Sequence, residues 1–217
     1  MIDRIDNILF DLDGTLTDPK EGIINSFLYA LEKLGIREEN INELDALIGP
    51  PLRDSFASRY NLTADIVEKA VVCYRDYFST KGIYENKIYT GVDELLESLH
   101  SKGYKLFVAT SKPTTFSEKI VQHFNLDKYF IKVIGSNLDN TRNDKSEIIS
   151  YLVSTQGLKV ENCIMIGDRK HDIIGAKNNS MRSIGVTYGY GTLEELKQHQ
   201  PDFIVNNFGE LKSIFIN

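Results

Sequence analysis

The sequence predicts an α/β fold, a doubly wound parallel sheet into which an all-helical domain is inserted. A short apolar run at residues 8–10 has the length of a buried strand. From about residue 89 onward, similar runs alternate with segments of helical periodicity, which is typical of parallel crossover units. Residues 17–86 carry helical patterns without strand-like alternation. We therefore expect a core domain at 1–16 and 87–217 and a helical domain at 17–86.

Composition indicates a globular protein of 217 residues, 26% charged and 41% hydrophobic. Apolar runs stay far below the ~18 residues of a membrane span, and the first residues do not resemble a secretion signal. The net charge of −6, without a basic block, argues against a nucleic-acid partner. Cys73 and Cys163 form no Cys-x-x-Cys pair, so we expect free thiols and a cytoplasmic location.

The helical domain begins with two predicted helices. Asp18 suits the N-cap and Pro19 the first position of a helix that Gly35 closes. A shorter helix is expected at about residues 42–48, because the Gly-Pro-Pro sequence that follows would stop it.

Two further helices should complete this domain. One begins near Leu52, and a longer one follows Thr63 and ends at Gly82. The longer helix is expected to present one apolar face, formed by Ile66, Val67, Ala70, Val71, Tyr74 and Phe78.

The remainder of the chain predicts alternating helices and strands. In chain order these are a helix ending at Gly103, a strand at 105–109, a helix at about 115–124, a strand at 129–134, a helix at 145–156 closed by Gly157, strands at 163–166 and 183–186, a helix opened by Thr192 and Glu195, a strand at 203–205 and a terminal helix. This alternation supports a doubly wound sheet.

Polar side chains follow three of the predicted strands. Asp11 and Asp13 follow the first, Thr110 follows the strand at 105–109, and Asp168 follows the strand at 163–166. Because the carboxyl ends of parallel strands share one edge of the sheet, ligands usually bind there. Spacing alone does not show that these side chains converge.

Asp11 and Asp13 stand two residues apart ahead of Gly14. Two carboxylates held that close repel by roughly 4 kcal/mol at an effective dielectric constant of about 20. A bound cation between them, or a proton retained on one carboxyl group, would relieve this repulsion. Gly14 would permit a sharp exit with positive φ. Taken alone, the same residues also suit an ordinary polar turn.

The sequence Phe-Asp-Leu-Asp-Gly-Thr-Leu-Thr-Asp at residues 10–18 resembles the first motif of the haloacid dehalogenase-like (HAD) superfamily. The chain is similar to phosphoglycolate-phosphatase-like hydrolases with a small helical (C1-type) cap, and four motifs occur in family order along nearly the whole chain. The resemblance implies a Rossmann-like HAD core with a helical cap. It also implies a Mg²⁺-dependent phosphatase that works through an aspartyl phosphate.

The resemblance assigns catalytic roles residue by residue. Asp11 would attack phosphorus, as an ionised carboxylate can do without a base. Asp13 would protonate the leaving oxygen and then activate water. Thr110 would hydrogen-bond a phosphoryl oxygen, and Lys145 would offset the charge of the nucleophile and the phosphoryl group.

Metal and substrate contacts are implied in the same way. Mg²⁺ would be held by Asp11, the backbone carbonyl of Asp13 and Asp168, with Asp172 supporting it through water or a neighbouring ligand. We also expect contacts to the substrate from three further residues, Ser111, Gly14 and Arg53. Arg53 would pair with a second anionic group, although a surface arginine at a helix start explains it equally well.

The chain departs from its close relatives in the third and fourth motifs. Ser146 follows Lys145 where proline is usual, and Lys132, in a strand-like run, is a rival for the motif's lysine. The basic residues 169–171 stand between the acids of the fourth motif, where they could touch substrate or solvate the loop.

The leading hypothesis is hydrolysis of a small-metabolite phosphomonoester by a monomer or weak dimer. Phosphoglycolate is the substrate class that the resemblance favours, with nucleoside monophosphates next. Asp13 favours phosphate chemistry, because family members that cleave carbon–halogen bonds lack an acid there. Inorganic pyrophosphatase and phosphomutase are enzymatic alternatives. A non-catalytic phosphate-binding regulator would be expected to have lost a core residue.

Overall fold

A computed structural model describes residues 5–139 and 141–216, apart from the side chain of Asn42. The chain forms two compact units. The core unit contains the chain up to Asp18 and from Ile88 onward, and the helical unit contains Pro19–Lys87. None of the helices in the described part of the chain is long and apolar enough to cross a membrane.

The core unit is built on a parallel six-stranded sheet. The strands of the chain are β1 (Asn7–Phe10), β2 (Thr17–Asp18), β3 (Lys87–Ile88), β4 (Lys105–Pro113), β5 (Phe130–Ser136), β6 (Cys163–Gly167), β7 (Arg182–Val186) and β8 (Phe203–Val205). Six of them form the sheet in the order β5-β4-β1-β6-β7-β8, with each adjacent pair parallel. The predicted α/β class with a doubly wound parallel sheet is therefore confirmed.

Helices follow the strands in the alternation that the sequence predicts. They are α1 (Lys20–Lys33), α2 (Leu52–Tyr60), α3 (Ala64–Tyr77), α4 (Val92–Ser101), α5 (Thr114–His123), α6 (Lys145–Gln156), α7 (Lys170–Asn178), α8 (Leu193–His199) and α9 (Phe208–Phe215). Short 3₁₀ segments occur at Ile41–Leu47, Asp127–Tyr129 and Val160–Asn162, and a π-helical turn extends α3 over Phe78–Gly82.

The central strands of the sheet are completely buried. All four residues of β1 and all five of β6 are buried, as expected for parallel strands covered on both faces. Leu9, Phe107 and Met165 from three neighbouring strands pack with Ile149 and Leu152 of α6. Each such side chain contributes roughly 1.5–3 kcal/mol by leaving water. The carboxyl ends of β1, β4 and β6 are thus rigid supports for the residues that follow them.

The helical unit has its own aromatic core. Phe27 of α1 lies 4.6 Å from the ring of Phe56 in α2 and 5.1 Å from that of Tyr74 in α3. Gly22 and Gly82 allow close approach of the backbone, since a Cβ on Gly22 would lie 1.9 Å from the carbonyl oxygen of Gly82. These contacts join α1 to the end of α3.

Several local predictions need correction. Residues 42–48 do not form an α-helix, because the segment Ile41–Leu47 is 3₁₀. Asp18 does not cap α1: Pro19 occupies that position, and the Asp18 carboxylate instead accepts a hydrogen bond from the Tyr190 hydroxyl. Ile66 is 37% exposed and does not belong to the buried face of α3.

One further local prediction is confirmed, and two elements differ from what the sequence predicts. α6 has the predicted bounds, and Gly157 closes it in the left-handed conformation with φ +61°. β4 runs past the predicted end and includes Thr110 and Ser111. α7, which follows Asp168, has no counterpart among the predicted elements.

Candidate active site

Three buried carboxylates converge at the carboxyl edge of the sheet. Asp11 follows β1, Asp168 follows β6, and Asp172 lies in the first turn of α7. One oxygen from each lies within 4.8 Å of the others. The backbone N–H of Asp11 donates to the carbonyl of Ile166, 2.8 Å away, which ties the end of β1 to β6. This all-oxygen set suits a hard divalent cation such as Mg²⁺.

Glycines surround Asp168 so closely that a side chain could not replace them. Gly14 has φ +81°, and a Cβ on it would lie 2.3 Å from Asp168 Oδ2. A Cβ on Gly189 or Gly191 would lie 2.4 Å from Asp168 Cβ or 1.8 Å from its carbonyl oxygen. The backbone N–H of Tyr190 donates to Asp168 Oδ2 over 2.7 Å. The carboxylate is therefore held in place by backbone on two sides.

Lys145 brings a buried positive charge to the same cluster. Its Nζ lies 2.9 Å from Asp11 Oδ1 and 2.8 Å from Asp172 Oδ1, and it donates to the carbonyl of Ala109 over 2.9 Å. Burial acts to lower the pKa of Lys145, but the two carboxylates outweigh it and raise the pKa above its ordinary value. Lys145 is thus a permanent cation facing Asp11.

The pKa values of two carboxyl groups in the cluster are raised as well, which for an acid favours the neutral form. Burial, followed by the charges of Asp172 and Asp11, raises the pKa of Asp168 to about 8. Burial also raises the pKa of Asp172, although Lys145 opposes the shift. The cluster therefore holds more negative charge than one lysine offsets, and a divalent cation would relieve it. The residues fit the cation that the resemblance implies.

Asp13 is paired with a second lysine, Lys112, and not with Lys145. Its Oδ2 lies 2.8 Å from Nζ of Lys112, and both side chains are largely buried. Burial raises the pKa of Asp13, with Lys112 acting against the shift. A carboxyl group that keeps its proton more readily is suited to general acid catalysis.

Thr110 and Ser111 stand at the end of β4, beside β1. Phe10 pairs with Val108, so Asp11 and Thr110 both follow paired positions on neighbouring strands. Thr110 is buried, and its hydroxyl accepts from the backbone N–H of Lys112 over 3.3 Å. Thr110 and Asp11 therefore lie at the same edge of the sheet, on neighbouring strands.

Arg53 belongs to the helical unit, at the start of α2. Its Nε and Nη2 donate to the two carboxylate oxygens of Glu68 over 2.6 and 2.9 Å. The two N–H groups that Arg53 would use to bind an anion side by side are therefore already bonded to Glu68.

The rival lysine and the basic insert lie in other settings. Lys132 is exposed on β5, whereas Lys145 contacts the acid cluster. Arg169 Nε and the backbone N–H of Lys170 both donate to Glu195 Oε1, over 3.0 and 2.8 Å. His171 is half-buried, and burial together with the neighbouring cations lowers its pKa. The insert thus anchors α8 to the start of α7.

Two residues of this site were not predicted from the sequence, Lys112 and Tyr190. Lys112 follows Thr110 by two residues, and that proximity to a predicted site residue was the available signal. Tyr190 stands between Gly189 and Gly191, a spacing that indicates close backbone approach. The Tyr190 hydroxyl donates to the Asp18 carboxylate, and its backbone N–H donates to Asp168. Tyr190 therefore connects Asp18 of β2 to the acid cluster.

Comparison with known proteins agrees with this geometry. A family model for haloacid dehalogenase-like hydrolases matches residues 8–186. The chain is 46% identical to a 5′-nucleotidase of Pseudomonas aeruginosa over 97% of this chain and 96% of that protein. It is 31% identical to a phosphoglycolate phosphatase of Vibrio parahaemolyticus over 95% and 94% of the two chains.

A solved structure is similar throughout. The crystal structure of a predicted phosphatase from Clostridium acetobutylicum superposes with a TM-score of 0.93 at 47% identity, covering 97% of each chain. The resemblance seen in the four motifs is confirmed, as is the expectation of an enzyme. The chain therefore belongs to the haloacid dehalogenase-like hydrolase family.

Proposed function

We propose that the protein is a Mg²⁺-dependent phosphatase that hydrolyses the phosphomonoester of a small metabolite through an aspartyl phosphate on Asp11. One observation carries the proposal: the Lys145 ammonium group contacts Asp11 within the cluster that Asp168 and Asp172 complete. A carboxylate nucleophile beside a fixed cation and a divalent-cation site is what phosphoryl transfer requires.

Asp11 is oriented for attack by one of its oxygens. Oδ1 faces Lys145 Nζ and accepts from the backbone N–H of Leu12 over 2.8 Å, which leaves Oδ2 to attack phosphorus. The ester P–O bond then breaks, and Asp13 gives its proton to the leaving oxygen. In the second step Asp13 takes a proton from water, whose oxygen attacks phosphorus. Inorganic phosphate leaves, and the Asp11 carboxylate is restored.

The cation would be held by Asp11, Asp168 and Asp172, with the backbone carbonyl of Asp13 as a further proposed ligand. When bound, Mg²⁺ would supply electrostatic stabilisation of the charge on the phosphoryl group. Asp168 is kept in position for this role by the Tyr190 N–H and the close glycines.

Binding of the phosphoryl group is assigned to the ends of β1 and β4. The Thr110 hydroxyl would donate to a phosphoryl oxygen, with Gly14 and Ser111 contributing backbone contacts. The helical unit would serve as the cap that selects the substrate, and Arg53 would have to exchange Glu68 for an anionic group of the substrate. A cytoplasmic enzyme acting as a monomer or weak dimer completes the proposal.

Nucleoside 5′-monophosphates are the first substrate class to test. The identity to a 5′-nucleotidase, 46%, exceeds the 31% identity to a phosphoglycolate phosphatase at nearly equal coverage. Phosphoglycolate, favoured by the motifs, is the second candidate.

The test is a panel of phosphoesters assayed with Mg²⁺ and with a chelator. We expect Mg²⁺-dependent phosphate release from at least one phosphomonoester, and its loss in Asp11→Asn. Asp127→Asn, at an exposed position in the core unit, is the matched control and should be fully active. Turnover in the presence of the chelator, or in Asp11→Asn, contradicts the mechanism. Separate assays of pyrophosphate and sugar phosphates test pyrophosphatase and phosphomutase activity.

A further inference from the structure

Lys112 and Asp13 form an ion pair that is nearly removed from water. Nζ of Lys112 lies 2.8 Å from Asp13 Oδ2, and the side chains are 7% and 13% exposed. A buried pair of this kind is costly to desolvate, so it contributes little to stability compared with well-packed apolar residues. Asp13 Oδ1 is also buried and has no hydrogen-bond partner among the described residues. Within the described part of the chain, one oxygen of the carboxyl group is therefore paired with Lys112 and the other is left without a hydrogen-bond partner.

The backbone of Lys112 is fixed by its surroundings. The register between β4 and β5 shifts between Ala109 and Pro113, a type of irregularity that re-aims side chains next to active sites. The N–H of Lys112 donates to the Thr110 hydroxyl, and a Cβ on Gly135 would lie 2.0 Å from the carbonyl oxygen of Lys112. Lys112 thus extends from a rigid strand end to a carboxyl group on the turn after β1.

Asp13 has less support from its own segment. It lies beyond β1, in a turn where Gly14 adopts φ +81° and donates its N–H to the carbonyl of Thr17. Backbone contacts of this kind fix the main chain but leave the carboxyl group its own rotation. A side chain reaching it from β4 would remove that freedom.

We propose that Lys112 is a positioning residue that holds Oδ2 of Asp13, so that Oδ1 faces the oxygen of the leaving group. The proposal rests on the phosphatase function proposed above. It assigns to Lys112 an effect on proton transfer to the leaving oxygen, and not on the attack by Asp11. The reaction and its proton balance are unchanged by this assignment.

Leaving groups of different basicity separate this role from others. The alkoxide released from a nucleoside 5′-monophosphate is strongly basic and needs a proton from Asp13. Nitrophenolate, released from p-nitrophenyl phosphate, leaves without one. The ratio kcat/KM reports the steps up to departure of the alcohol, so it isolates the step in which Asp13 is the acid.

The experiment compares wild type, Lys112→Met, Lys112→Arg, Asp13→Asn and the double variant Asp13→Asn/Lys112→Met on both substrates with Mg²⁺. Lys112→Met should lower kcat/KM for the alkyl phosphate by about 100-fold, the scale of a general acid's contribution, and for p-nitrophenyl phosphate by less than about 3-fold. Lys112→Arg should recover part of the loss. In the Asp13→Asn background, removing Lys112 should change neither value further. Lys132→Met, at an exposed position on β5, is the matched control and should behave as wild type.

Equal losses on both substrates would overturn the inference, because they would indicate that Lys112 binds the phosphoryl group or supports the fold. A further loss in the double variant would also overturn it. If wild type hydrolyses no phosphoester, the proposed function fails, and crystal structures then decide the inference separately. They should show the Asp13 carboxyl group rotated in Lys112→Met, and an unchanged rotamer would refute the positioning role.

Discussion

The fold accommodates the charged form of Asp168 poorly when no cation is bound beside it. Burial and the charges of Asp172 and Asp11 raise its pKa to about 8, from an ordinary value of 3.8. Because the folded-state pKa lies above the unfolded one, the protonated group supports the fold fully below about pH 4. That support is lost as the pH rises toward 8. At pH 8 without metal, Asp168 therefore weakens the fold.

Replacing Asp168 should consequently reveal two opposite effects. In a chelator at pH 8, Asp168→Asn should raise the free energy of unfolding, on the order of 1–3 kcal/mol, because the buried charge is removed. In Mg²⁺ the same variant should lack the stabilisation that wild type gains. Chemical denaturation under both conditions measures this, with Asp127→Asn as the control. A variant that is less stable than wild type in chelator at pH 8 would contradict the expectation.

At the scale of elements, the contact between α6 and α7 sets the position of Lys145. Gly175 of α7 packs against the start of α6, and a Cβ there would lie 2.8 Å from Cγ and 3.0 Å from Cβ of Lys145. The helix itself would tolerate alanine, which is favoured over glycine in helices by about 1 kcal/mol. A side chain at position 175 would therefore displace Lys145 without disrupting the helix.

Gly175→Ala should accordingly lower kcat/KM for the best substrate of the panel by about 10-fold or more, since small misplacements of a catalytic group are expensive. The far-ultraviolet circular dichroism spectrum should stay that of wild type. Gly209→Ala in α9, where the nearest atom to a new Cβ would be 3.1 Å away, serves as the control. Full activity in Gly175→Ala would show that α7 can shift to make room.

Local patterns predict the elements whose signals are local. The apolar run of β1, the Gly157 cap of α6 and the polar residues after each strand could be interpreted directly. α7 could not, because Lys170–Asn178 lacks an apolar stripe and is buried by packing against α6 and the neighbouring strands β6 and β7. Asp18 was predicted as the N-cap of α1 because its local sequence fits that position. Its carboxylate instead accepts a hydrogen bond from Tyr190, which is distant in the sequence.

The site was predictable to the extent that the sheet and the family motifs define it. Asp11, Asp168 and Lys145 follow from the carboxyl-edge rule combined with the resemblance. The Lys112–Asp13 pair joins residues from distant parts of the chain, and such contacts leave no periodic signal. Arg53 was expected to pair with a second anionic group of the substrate or to be a surface arginine at a helix start, and the structure pairs it with Glu68 on the next helix.

For the whole molecule, cation binding should be linked to protons. Mg²⁺ at about 100 times its Kd stabilises a folded protein by about 2.7 kcal/mol. Because Asp168 has a pKa of about 8 without metal, the cation must displace a proton at lower pH. We expect the thermal shift caused by Mg²⁺ to be larger at pH 8 than at pH 6. Na⁺ at equal ionic strength is the control, and an equal shift at both pH values would contradict the linkage.

The order of the strands also bears on how the chain is made. β1 is synthesised first, but its two hydrogen-bonding neighbours, β4 and β6, begin only at Lys105 and Cys163. The ribosome releases the whole helical unit in between. A growing chain therefore carries β1, which is buried along its whole length in the folded protein, without either neighbour until Lys105 has been added. Exposed strands of this kind are the condition in which nascent proteins depend on chaperones.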